Sequence, residues 1–245
     1  MPPVKPFLLL STRDDDATAI GEASAVRRVC ALADDDLVQL RLEQTPLPAD
    51  LSLDDYAGVI LGGSGFCTSS ATKSPLQQRV EADLGRLLDE IIERDFPFFG
   101  LCYGVGVLAT HLGGVVDSTH KEDVGAIAIR LTEAGRADPL TAGLTEPFWG
   151  YVGHKEAVRT LPEGAVVLAT GETCPVQLFR VKTNVYAAQF HPELDTDGLI
   201  ERMGVYRNAG YFAPDDFDRL AADAHASGVD GTQEIPLQRF VERHR

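Results

Sequence analysis

A three-layer α/β/α fold with a central, mostly parallel sheet is the architecture this sequence predicts, and three observations predict it. Through the first half, apolar runs with the length of buried strands alternate with longer helical patterns, which is the signature of a parallel sheet covered on both faces. Two of those runs end in glycine-bearing loops, Gly62-Gly63-Ser64-Gly65 and Gly100-Leu101-Cys102-Tyr103-Gly104, and in such sheets sites form at the carboxyl ends of strands. After Gly113-Gly114 the chain turns to shorter β-like runs broken by Gly and Pro, so extra antiparallel strands are expected there, followed by a helical tail. With no internal repeat or low-complexity linker, the 245 residues read as one domain, 1–245, with a core of about 7–194 and a helical extension of about 197–245.

Phe7 to Leu10 has the length of a buried first strand. Asp14, Asp15 and Asp16 precede a helical pattern of Ala17, Ile20, Ala23, Val26, Val29 and Leu32. Carboxylates there are most simply a cap and a complement to the helix dipole. Leu37 to Leu40 is the second strand, Pro46 and Pro48 mark a loop, and Tyr56 to Leu61 is a third strand running into the glycine loop. That loop lacks the Lys-Ser or Lys-Thr of a phosphate loop. It is either a plain tight turn or a way of aiming backbone N–H groups at an oxyanion.

Pro75 to Glu93 is an amphipathic helix with Leu76, Val80, Leu84, Leu87, Leu88 and Ile91 on its buried face. Pro97 starts a strand that stops at Cys102, and a helix is expected from Val107 to Leu112. Further strands are Val115-Val116, Ala126–Ile129, Phe148–Val152, Ala165–Ala169, Val176–Phe179 and Val185–Phe190, and helices return at Leu199–Arg207, Asp215–Ala226 and Pro236–Arg243.

Hydrophobic content of 44% and charged content of 24% suffice for a large core. The net charge of -15 argues against a nucleic-acid groove or an anionic membrane as partner. Cys30, Cys67, Cys102 and Cys174 are scattered without a C-x-x-C pair, which favours free thiols in a reducing compartment over a disulfide framework or a zinc site. The start, Met1 to Pro6, has no apolar core for a signal peptide, and no run approaches membrane-spanning length. A cytoplasmic protein without metal or other cofactor is expected.

Gly-x-Cys-x-Gly between a strand and a helix is a sulfur version of the nucleophile elbow. The turn is so tight that Cβ atoms beside the nucleophile would collide, hence the glycines. A cysteine at the head of a helix also meets unpaired N–H groups and the positive end of the dipole, a setting that suits a reactive thiol. A buried, inert cysteine could imitate the pattern, so partners are needed. They come from Gln189-Phe190-His191-Pro192-Glu193 at another strand end. Residues two apart on an extended chain share a side, so Glu193 can orient His191 and leave its other nitrogen for Cys102. A Cys102–His191–Glu193 triad is therefore preferred to a surface histidine. His154, in Gly153-His154-Lys155-Glu156, lacks an adjacent acid of this kind and is given a substrate-side role. His111 is assigned to packing or capping, and Cys30, Cys67 and Cys174 to incidental thiols.

Taken in order, Gly62-Gly63-Ser64, Gly100-Leu101-Cys102-Tyr103-Gly104, Glu172-Thr173-Cys174-Pro175 and Gln189 to Glu193 resemble the class I glutamine amidotransferases over about Phe7 to Leu194. The likeness is to the free-standing GMP synthase-like members. The resemblance implies a flavodoxin-like sheet and a cysteine hydrolase that attacks the side-chain amide of glutamine through a γ-glutamyl thioester, releasing ammonia. By position, it makes Cys102 the nucleophile, His191 the base and later acid, and Glu193 the orienter. The N–H groups of Gly63 and Tyr103 would form the oxyanion hole, with Gly62, Ser64, Gly106 and His154 near the substrate. Two positions depart from the family pattern: Gly106 stands where a glutamine usually helps hold the substrate, and Gly153-His154-Lys155-Glu156 replaces Ser-His-x-Asp. Nor does an ATP-binding synthetase segment follow Glu193. Ammonia would then go to a separate synthetase or acceptor protein. Alternatively the chain acts alone, as a γ-glutamyl peptidase-like hydrolase or as a non-catalytic regulatory module.

Overall fold

The computed structural model describes residues 5–245; residues 1–4, part of the segment read as unlike a signal peptide, lie outside the described residues. Five parallel strands form the heart of a nine-stranded sheet: β1 (Phe7–Thr12), β2 (Leu37–Arg41), β3 (Gly58–Ser64), β4 (Phe98–Leu101) and β11 (Val185–Ala188). They lie in the order β2-β1-β3-β4-β11. The sheet continues from β11 through antiparallel β10 (Leu178–Val181), β9 (Ala165–Thr170), β6 (Glu122–Leu131) and β7 (Phe148–His154). A small second sheet pairs β5 (Val115–Asp117) with β8 (Ala157–Thr160).

Period-two alternation divides the parallel strands between two apolar layers. Phe7, Leu9, Ile60, Phe99 and Tyr186 face one way, against Ala23 and Val26 of α1 (Asp16–Cys30) and Leu237 and Phe240 of α7 (Ile235–His244). Leu8, Leu10, Val59, Leu61 and Phe98 face the other, against α2 (Pro75–Arg94) and α3 (Tyr103–His111). The last helix thus belongs to the main core. The Phe240 ring meets that of Phe99 edge-on at 5.4 Å and that of Phe7 at 6.2 Å. Two other tail helices, α5 (Thr196–Val205) and α6 (Phe217–His225), form a smaller cluster with Tyr151 of β7, through Leu199, Met203 and Ala224.

The helix starts are chemically specified. Asp15 caps α1 by accepting from the Thr18 N–H at 2.9 Å, and Asp16 pairs with Arg41. Ser74 caps α2 ahead of Pro75. Several expectations shift. Ile20 is 64% exposed, because the buried stripe of α1 runs through Ala19, Ala23 and Val26. Leu76, in the first turn of α2, is also exposed. The helix after the elbow begins at Tyr103 rather than Val107, since Gly104 and Gly106 are helical residues there. The strand expected at Val176 starts at Leu178 because the ladder is irregular there, with the Gln177 N–H already bonded to Ala169 O. The short helix α4 (Glu133–Ala137) and strand β8 carried no pattern long enough to read.

Candidate active site

Cys102 sits between β4 and α3 with φ 49° and ψ -88°. A left-handed φ on a non-glycine residue costs about 1–3 kcal/mol and survives only where its surroundings impose it. Here the Cys102 N–H donates to Ala188 O on β11 at 2.8 Å, which ties the elbow to the neighbouring strand. Gly100 and Gly104 make the turn possible. A Cβ on Gly100 would lie 2.9 Å from the Gly104 carbonyl carbon.

His191 and Glu193 follow β11, and the His191 N–H is anchored on Tyr151 O at 2.9 Å. Both side chains are buried, and His191 Nδ1 lies 2.8 Å from Glu193 Oε1. With Nδ1–H donated to the carboxylate, Nε2 is left for the thiol side. Burial alone would lower the His191 pKa. The charges of Glu193, first, and of the nearby Cys102 sulfur more than offset it and raise it to about 9. Burial likewise opposes the Glu193 charge, but His191 and Arg202 hold its carboxyl far below the usual range. Arg202 of α5 donates Nη1 to Glu193 Oε1 at 2.9 Å. A further side chain, Gln189, points Nε2 at Cys102 Sγ from 3.7 Å. Gln189 could have been read from the same period-two rule that joined His191 to Glu193; nothing in the sequence marks Arg202.

A solvent-open cleft of about 810 Å³ contains Cys102, Tyr103 and His191 with Gly63, Ser64, Gly106 and His154 on its walls. Gly62 is not on that wall; a Cβ there would strike Glu22 Oε2 at 2.3 Å. The two expected oxyanion donors differ in state. Tyr103 is the first residue of α3, so its N–H has no acceptor within the helix. The Gly63 N–H is instead donated to the buried Glu22 Oε1 at 3.1 Å.

Gly106 packs against Thr68 and Glu156, which leave little room for a side chain. A Cβ there would lie 2.8 Å from Thr68 Oγ1 and 3.2 Å from Glu156 Oε1. The Glu156 carboxylate is saturated by four donors, the N–H and hydroxyl groups of Thr68 and Ser69, at 2.6–2.9 Å. The two departures from the family pattern thus meet in space, with Glu156 and its partner Thr68 packed against Gly106.

His154 ends β7 and does have an acid, Glu122, which is distant in sequence. His154 Nε2 lies 2.9 Å from Glu122 Oε2, and Nδ1 lies 3.0 Å from Glu156 O. Gln177 Nε2 donates to the same Glu122 oxygen at 2.7 Å. Glu122, His154 and Cys174 are the one buried group among the described residues with the spacing of a metal set. Both ring nitrogens of His154 are already engaged, and burial pushes the Cys174 thiol up to about 12, so the cluster is wired as a structural pair. His111 faces Asp89 at 3.1 Å, far from any such role.

The cleft's outer wall is supplied by the segment after α5, through Tyr206, Tyr211 and Phe212. Lys155 straps it down, donating Nζ to Ala209 O at 2.6 Å and lying 4.3 Å above the centre of the Tyr211 ring.

By fold and by the placement of its elbow, this is a doubly wound α/β protein whose cysteine and histidine share the carboxyl rim of a parallel sheet. The chain belongs to the glutamine amidotransferase class-I family, whose model matches residues 30–198. It is 34% identical over 115 residues to a glutamine-hydrolyzing GMP synthase of Thermosipho africanus, a match covering 46% of this chain and 22% of that protein. It is 29% identical to one subunit of the glutamine-hydrolyzing GMP synthase of Thermoplasma volcanium, over 65% of this chain and 75% of that one. The chain thus spans about a fifth of the first relative's length and three-quarters of the second's. A glutamine amidotransferase from Thermotoga maritima shares the fold, with a TM-score of 0.77, 20% identity, and 98% and 99% of the two chains covered. No helix among the described residues is long and apolar enough to cross a membrane.

Proposed function

We propose that the chain hydrolyses the side-chain amide of glutamine, or of a related γ-glutamyl compound, through a thioester on Cys102. The observation that carries this reading is the elbow cysteine beside a histidine whose Nδ1 is held by Glu193 at 2.8 Å. Cys102 Sγ bonds to the amide carbon while its proton passes to His191. The developing oxyanion is met by the Tyr103 N–H, and by the Gly63 N–H once that peptide leaves Glu22. His191 then protonates the amide nitrogen as the C–N bond breaks and ammonia departs. Water attacks the thioester carbon, His191 takes its proton, and the carboxylic acid is released as the sulfur recovers a proton. No step calls for a metal or other cofactor.

Relatives named as GMP synthase, one of them as a single subunit of that enzyme, support an ammonia-consuming partner outside this chain. A second reading, a stand-alone γ-glutamyl peptidase-like hydrolase, is favoured by one observation: Tyr206, Tyr211 and Phe212 give the Cys102 cleft an aromatic wall suited to a leaving amine larger than ammonia. The test of both is a panel of glutamine and γ-glutamyl amides and dipeptides, read as ammonia, amine and glutamate release. Release that persists undiminished in Cys102→Ala would refute the thioester. Glutamine as the better substrate supports the first reading; a larger amine as leaving group supports the second.

A further inference from the structure

Arg13 lies at the carboxyl end of β1, beside β3 where the chain reverses its direction of winding across the sheet, the place where doubly wound sheets bind ligands. It is 4% exposed and forms part of the wall of the Cys102 cleft. Its position is over-determined. Nε donates to Glu22 Oε1 at 2.9 Å, the backbone carbonyl accepts from Arg41 Nη2 at 3.0 Å, and the guanidinium lies 5.9 Å from the centre of the Tyr206 ring. It also crosses Gly63 so closely that a Cβ there would stand 2.3 Å from Nη2.

One part of this group is unused. Nη2 lies 2.8 Å from Glu22 Oε1 but out of line for a hydrogen bond, and it has no other acceptor. The hydroxyl of Tyr206, whose ring centre lies 5.9 Å from the guanidinium, is also buried with no partner in hydrogen-bonding geometry. Two buried, unmatched donors side by side are costly to leave so, and the group that would satisfy both is an oxygen carrying negative charge. The other cations of the cleft are committed, Arg202 to Glu193 and Lys155 to Ala209 O. The acid at Glu156 is saturated.

Building on the amide-hydrolysis reading, we infer that Arg13 and Tyr206 form a carboxylate anchor that selects amides bearing an acid group. The anchor is a specificity device separate from the triad: it holds the far end of the substrate while Cys102 meets the amide. It is supplied by the post-β1 loop and the end of α5, and it gives the substrate a grip that does not depend on a side chain at Gly106.

The experiment compares glutamine with glutaminamide, in which the α-carboxylate is replaced by a neutral amide, using wild-type protein, Tyr206→Phe and Arg13→Lys. Wild type should prefer glutamine in kcat/KM by about 10- to 100-fold, the worth of a charge-assisted pair. Tyr206→Phe, which deletes a hydroxyl with no hydrogen-bond partner in the free chain, should raise KM for glutamine severalfold, raise that for glutaminamide by clearly less, and not lower the melting temperature. Arg13→Lys should retain part of the preference. Arg13→Gln combined with Glu22→Gln, which avoids stranding a buried carboxylate, should abolish it. Equal use of both substrates by wild type would overturn the anchor. So would a fall in kcat alone, the same for both, in the Arg13 variants, since that would assign the guanidinium to the oxyanion. Rapid alkylation of Cys102 with no turnover of either amide would also overturn it, whereas an unreactive Cys102 would fell the hydrolysis reading itself.

Discussion

Arg202 and His191 converge on the same oxygen: Glu193 Oε1 accepts from Arg202 Nη1 at 2.9 Å and lies 2.8 Å from His191 Nδ1. The carboxylate that orients the imidazole is itself oriented by the first helix beyond it, α5. The tail reaches into the site through a hydrogen bond, and Glu193 keeps its buried charge because two cationic partners share it.

Replacing Arg202 by Gln should therefore lower kcat/KM by about 10- to 100-fold through a loosened Glu193. It should also lower the melting temperature by several degrees, because one of the two partners of a buried charge is lost. Arg202→Lys should recover part of both. Steady-state kinetics and thermal melts on the three proteins check this; unchanged kinetics in Arg202→Gln would remove the residue from the mechanism.

The pH dependence follows from His191. Its pKa rises from 6.5 to about 9 on folding, so the folded state binds the proton more tightly than the unfolded one. The stability this provides is complete below about pH 6.5 and is lost as the pH climbs through 9. Melting temperatures measured from pH 6 to 9.5 should fall over that window, and His191→Gln should flatten the slope. Glu193→Gln should bring the imidazole back toward its ordinary value and reduce kcat by about 10³- to 10⁴-fold, as expected when the orienting acid of a triad is neutralised.

Placing a glutamine at position 106 should not improve the enzyme. The new Cβ would press on Thr68 Oγ1 at 2.8 Å and on the Glu156 carboxylate at 3.2 Å, an overpacking cost of about 1–3 kcal/mol. Gly106→Gln should melt lower than wild type and hydrolyse glutamine no faster. A faster Gly106→Gln enzyme would show that Glu156 yields the space.

The four thiols should separate by reactivity. Burial pushes Cys30 and Cys174 up to about 12, and burial with Glu156 also raises Cys67. Iodoacetamide near neutral pH, followed by peptide mass mapping, should mark Cys102 first. Uniform labelling would argue against an activated thiol.

Much of this was legible in the sequence because local rules govern it. The parallel strands showed as apolar runs, the elbow as glycines around Cys102, and the His191–Glu193 pair as a two-residue spacing on an extended chain. What escaped was set by packing between distant segments. Arg13, Glu22, Tyr206 and Arg202 come from helices and loops whose individual residues carry no pattern. The acid of His154 is Glu122, brought beside it by antiparallel pairing of β6 with β7. Gly63 looked like a free donor; only the fold reveals that α1 places Glu22 beneath it.

The parallel pairing of β4 with β11, which sets Ala188 against Leu101 and bonds its carbonyl to Cys102, has a consequence for how such a chain can diverge. The spacing of thiol and imidazole is measured across two adjacent strands. It is not measured along the long stretch of chain that separates them in sequence. That stretch includes turns at Gly143 and Gly164 where a Cβ would meet nothing within 4 Å, so these turns do not bear on the separation of Cys102 and His191. Changes of sequence in the excursion thus leave the placement of Cys102 against His191 to the sheet.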